Sequence, residues 1–84
     1  MIDSELIVYV EKDKRQRYKC AMTTVDLLKK SLVNGKTKIV YFEKFESNRA
    51  AKSRLKKFES IEHSKLVELI IGSNPEMLNL IYCI

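Results

Sequence analysis

Residues 36–58, KTKIVYFEKFESNRAAKSRLKKF, constrain the fold more than any other stretch. Ile39–Phe45 is a dense run of β-branched and aromatic residues, the types that suit a buried strand. Glu46, Ser47 and Asn48 interrupt the run, and Ser47 and Asn48 are good helix N-caps. Beyond them Ala51, Leu55 and Phe58 recur at i, i+4 and i+7, which lines one face of a helix. Arg49, Lys52, Arg54, Lys56 and Lys57 occupy the remaining surface. A strand that must be buried, followed at once by a helix with one apolar face and a basic back, predicts an α/β (α+β) arrangement with helix laid on sheet.

The segments before it read as a hairpin and a helix. Leu6–Val10 predicts a first strand and Arg17–Met22 a second, antiparallel to it across the charged turn EKDKRQR. That turn is either a solvated loop or a loop that touches phosphate. Thr23 and Thr24 can cap a helix whose Val25, Leu28 and Leu32 fall at helical spacing, and Asn34-Gly35 suits its end. After residue 58, Ser60 is the expected cap of a third helix running to about Ile71, with Ile61, Leu66, Leu69 and Ile70 facing the core. Gly72-Ser73-Asn74-Pro75 stops it, with Pro75 suited to the first turn of a further segment. The apolar tail MLNLIYCI either folds back on the core, the favoured reading, or forms a homodimer patch. The predicted order is β-β-α-β-α-α, a single domain over residues 1–84 with a central three-stranded antiparallel or mixed sheet flanked by helices.

Charge then separates function classes. The chain carries 16 Lys and Arg against 11 acids, a net charge of +5, and the excess lies in its middle. Residues 36–62 hold eight basic and four acidic side chains, whereas residues 63–84 hold one and two. Such an asymmetry points to nucleic acid or to a solvated Lys-rich face. Cys20 and Cys83, the only cysteines, and His63, the only histidine, have no zinc-ligand spacing. Acids in MIDSELIVYV argue against a secretory leader, and no apolar run reaches membrane-span length. The expected setting is the cytoplasm, with both thiols free; Cys20 reads first as a small buried residue of its strand, the alternative being a thiolate favoured by Lys19 and Arg17.

The order of these words resembles the small stand-alone GIY-YIG nuclease family, whose fold also forms the front domain of the DNA-repair excinuclease C subunit. Ile7-Val8-Tyr9 stands at the first motif and Tyr18-Lys19-Cys20 at the second. Thr23-Thr24 resembles the opening of the family's first helix, KIVYFEKFES its strand and turn, and Asn74-Pro75-Glu76 the triplet after its last helix. The resemblance implies a DNA endonuclease fold. In the family a glutamate on the second helix holds one divalent metal, a tyrosine helps activate water, and an arginine on the first helix faces phosphate.

Carried over residue by residue, the catalytic positions are Tyr9, Tyr18 and Lys30, or Lys29 a residue earlier, since no Arg lies between Arg17 and Arg49. Lysine keeps the charge without the planar fork of arginine. Leu55 occupies the metal ligand's place, no acid lies between Glu46 and Glu59, and Cys20 replaces the second-motif glycine. The resemblance therefore implies an inactive relative that needs no cofactor and keeps nucleic-acid binding. The expected contacts are Arg15, Arg17, Lys29, Lys30, Arg49, Lys52, Lys56 and Lys57. One alternative is an active endonuclease using Mg2+ or another divalent ion, with ligands drawn from Glu59, Glu62 or His63. The other is a protein-interaction module or homodimer through residues 77–84.

Overall fold

The computed structural model describes residues 5–31 and 37–84. Leu32, Asn34 and Gly35, the expected end of the first helix, lie outside the described residues. The chain forms a small α+β domain with a three-stranded antiparallel sheet and three helices. Strand β1 (Leu6–Lys12) is central, with β2 (Tyr18–Thr24) on one side and β3 (Lys38–Phe45) on the other. Helix α1 (Val25–Ser31) follows β2, helices α2 (Asn48–Ser60) and α3 (His63–Ser73) follow β3, and a 3-10 turn covers Leu80–Cys83.

Being central, β1 is buried on both faces, which is why LIVYV reads as a continuous apolar run rather than an alternation. Ile7 faces Leu28 and Ile39, with Tyr9, Val25, Phe42, Leu80, Ile81 and Ile84 packed around them. Val8 and Val10 face the other way, onto Ala51 and Phe58 of α2 and onto Leu66 and Ile70 of α3. One face therefore carries α1 and the chain end, and the other carries α2 and α3. The register between β1 and β3 shifts at Val10/Glu11, so that Tyr41 opposes Val10 while Ile39 opposes Glu11. Val40 is the extra residue of this bulge. Val40 and Tyr41 consequently both meet the α3-side cluster, while Ile39 and Phe42 meet the opposite one.

Local chemistry accounts for the element ends. Thr24 is the last residue of β2, and its Oγ1 also accepts from the Leu27 amide at 3.3 Å. The Ser47 hydroxyl accepts from the Ala50 amide, capping α2. The expectation for Ser60 is corrected: it is the last residue of α2, its hydroxyl donates to the Lys57 carbonyl, and α3 starts two residues beyond Ile61 with Glu62 at the cap. Ile61 sits between the helices and packs on the core from the corner. Helix α3 also runs past Ile71 to Ser73, and Pro75 enters an isolated turn rather than a helix.

The tail folds back. Asn74, only 4 % exposed, donates from Nδ2 to the Val40 and Leu78 carbonyls and accepts at Oδ1 from the Leu78 amide. Asn79 accepts at Oδ1 from the amides of Ile39 and Ile81. Two asparagine side chains thus satisfy backbone groups of β3 around its bulge and pin the last residues to the sheet.

Candidate nucleic-acid interface

Helix α2 lies across all three strands, with Ala51 and Phe58 buried beneath it. Helical geometry then fixes what points outward: Arg49, Lys52 and Lys56 are spaced i, i+3 and i+7 on the far side, with Lys57 beside them. All four are exposed, and among the described residues none of them makes an ion pair. The first turn of α2 contains no acid and does contain Arg49. A cation there opposes the helix dipole, which favours negative charge at that end.

Arg54 belongs to a different surface. Its Nε donates to Glu43 Oε1 at 2.8 Å and its terminal nitrogen to Glu43 Oε2 at 3.0 Å, while its guanidinium lies 4.6 Å from the centre of the Phe58 ring. The Tyr41 hydroxyl donates to the same Glu43 carboxylate, and the Tyr41 ring meets Phe58 edge-on. Partial burial alone would raise the Glu43 carboxyl, but the bonds from Arg54 and Tyr41 and the Arg54 charge outweigh it and hold it below the usual range. Burial first, and then the bond to Glu43, push the Tyr41 hydroxyl up. This constellation escaped the sequence reading. Its only signal was the two-residue spacing of Tyr41 and Glu43, which puts both on one strand face.

The remaining predicted contacts fall elsewhere. Lys29 and Lys30 are exposed in the last turn of α1, on the opposite side of the sheet from α2. Arg15 and Arg17 occupy the β1–β2 hairpin. There Asp13 accepts from the amides of Arg15 and Arg17 and from Arg17 Nε, at 2.8–3.0 Å. Those bonds, led by the Arg17 amide, hold the Asp13 carboxyl below its ordinary value. The loop is a turn closed by Gln16 N donating to the Asp13 carbonyl, with Gln16 in the left-handed region at φ 67°.

The positions named by the family resemblance do not converge. The hairpin register pairs odd-numbered residues with odd and even with even, so Tyr9 and Tyr18 project from opposite faces. Tyr9 packs with Ile7, Leu28 and Ile39; burial, with the Glu11 charge, raises its hydroxyl. Tyr18 packs with Val10 and Leu66, and its ring meets His63 at 5.3 Å. Leu55 rests against the cluster of Val8, Ala51 and Phe58. A divalent metal would find a hydrocarbon at this position, and among the described residues no group of three or more His, Cys, Asp or Glu side chains gathers to hold one. Glu62 occupies the N-cap position of α3 without a side-chain cap bond, and Glu59 lies near Cys20 rather than in a cluster. Cys20 is not activated as its basic neighbours suggested: burial, and then the Glu59 charge, push its thiol up. Both cysteines are free, and among the described residues no helix is long and apolar enough to cross a membrane.

Comparison with family models, with curated proteins and with solved structures finds no match to this chain.

Proposed function

We propose that the chain is a catalytically inactive, GIY-YIG-like domain that binds nucleic acid through the outward face of α2. The observation that carries this reading is the row Arg49, Lys52 and Lys56, with Lys57 beside it, exposed and without ion-pair partners among the described residues. Glu46 and Glu59, the acids that flank the row in sequence, make no ion pair with it among the described residues, and Glu43 is engaged with Arg54. A cation in the first turn of α2 costs the helix stability, a cost that contact with phosphate would offset. The apolar packing of Leu55 and the separation of Tyr9 from Tyr18 support binding without cleavage. The free thiols suit the cytoplasm.

Binding of labelled duplex and branched DNA at two salt concentrations, without metal, tests the proposal. The expected result is binding that weakens steeply as salt rises, because each phosphate contact releases counterions. Absence of binding at low salt would leave α2 with a merely solvated face. The homodimer reading has less support, since Leu80, Ile81 and Ile84 are turned onto the core; Leu78 and Tyr82 remain exposed.

A further inference from the structure

The β1–β3 register places Lys12 directly opposite Lys38. Like charges facing each other across antiparallel strands destabilise a sheet, because their Cβ atoms stand only about 5 Å apart. This pair lies at the open end of the sheet, where a cleft of about 390 Å3 forms between the β1–β2 hairpin and the start of β3. Lys12, Lys14, Lys38, Gln16, Thr37 and Asn79 line it, together with Asp13, and the Thr37 hydroxyl donates to the neighbouring Glu11 carboxylate at 3.3 Å. Asp13 is already consumed by three hydrogen bonds, one of them charge-paired with Arg17. Asn79 spends its oxygen on the amides of Ile39 and Ile81, which leaves its Nδ2 as a donor. Lys12 holds its ammonium 5.7 Å from the centre of the Tyr18 ring, half-buried rather than free in solvent. The uncommitted charges of the cleft are therefore the three lysines, with the Asn79 and Gln16 amides as neutral donors beside them.

We propose that this cleft binds a phosphate monoester, carried either on a free nucleotide or on the end of a nucleic-acid strand. Two opposed lysines with a third beside them match a dianion, and a monoester carries about −1.5 to −2 at pH 7 where an internal diester carries one charge. Binding removes the repulsion between Lys12 and Lys38, so the ligand stabilises the fold as well as occupying the cleft. The site is separate from the α2 row and stands or falls independently of it.

The test is thermal unfolding at low ionic strength with millimolar adenosine monophosphate, inorganic phosphate, or sodium chloride at matched ionic strength. Both phosphates are expected to raise Tm where chloride does not, and the rise is expected to shrink below about pH 6 as the monoester loses its second charge. Lys12→Gln and Lys38→Gln are each expected to raise Tm without ligand and to weaken binding tenfold or more, whereas Arg49→Gln and Lys52→Gln leave the phosphate response intact. In the Arg49→Gln/Lys52→Gln double variant, which weakens the α2 row, a 5′-phosphorylated oligonucleotide that binds more tightly than the mononucleotide would place the phosphate on a strand end; equal binding would assign a free nucleotide. In the same double variant, an equal rise with the unphosphorylated oligonucleotide would overturn the proposal. So would a phosphate response that survives in both lysine variants.

Discussion

Arg54 grips Glu43 at two points, Nε on Oε1 and the terminal nitrogen on Oε2, at 2.8 and 3.0 Å across the seam between α2 and β3. Both side chains are about a quarter to a third exposed, so the pair is screened less than a surface salt bridge and more than a fully buried one. Removing Glu43 would also release the Tyr41 hydroxyl and leave the guanidinium over Phe58 without its counter-charge. Glu43→Ala is expected to destabilise the fold by about 1–3 kcal/mol, measured by urea unfolding, with a double-mutant cycle against Arg54→Ala isolating the pair.

The same pair sets a pH dependence. The folded state lowers the Glu43 carboxyl, so its contribution is fully present above the unfolded carboxylate value and is lost as pH falls through the folded one. Wild-type stability should therefore decline from about pH 4.5 downward. Glu43→Gln should be less stable at neutral pH and flatter over that acid range. An acid limb of unchanged steepness in the variant would refute the assignment.

Asn74 makes three hydrogen bonds from a site 4 % exposed. Alanine there orphans two carbonyls and an amide around the β3 bulge. A loss of about 2–4 kcal/mol is expected in chemical denaturation, with faster amide exchange at Leu78 and over Leu80–Cys83.

Gln16 holds φ 67° in the hairpin, a region that glycine enters without the Cβ penalty. Gln16→Gly should raise stability by about 0.5–1 kcal/mol in calorimetry. The hairpin bonds of Asp13 should persist.

Leu55→Glu would place a carboxylate where the GIY-YIG resemblance puts a metal ligand but supplies no other part of a cleavage site, because Tyr9 and Tyr18 face opposite ways. It should yield no Mg2+-dependent nicking of plasmid DNA. It should also cost about 2–4 kcal/mol, through lost packing on Phe58 and a carboxylate set against apolar groups.

The sequence carried the sheet and the helices because their cues are local. Ile39–Phe45 announces a buried strand by composition, Ser47 a cap by chemistry, and Ala51 with Phe58 a face by spacing. Ser60 misled because serine also bonds back to a carbonyl inside a helix, as it does to Lys57 here. The bulge at Val40 has no local mark, and without it the pairing of Lys12 with Lys38 cannot be counted out from the chain. Asn74 stood out as part of a motif, but its bond to a strand 34 residues earlier emerges only once the tail is folded back. Arg54 is grouped by sequence with the helix's other cations, since nothing local separates an inward arginine from an outward one.

The central place of β1 carries a consequence for how the chain comes to life on the ribosome. Its first strand needs partners on both sides, and the second of these ends at Phe45. Until that residue clears the exit tunnel, the sheet holds no more than a two-stranded hairpin, which is marginal in water. The helices that cover the sheet's other face come directly after, so the hydrophobic strand β3 emerges just ahead of its own shelter. Arrest with Phe45 just clear of the tunnel should expose a chaperone-binding segment that arrest with Ser73 clear does not.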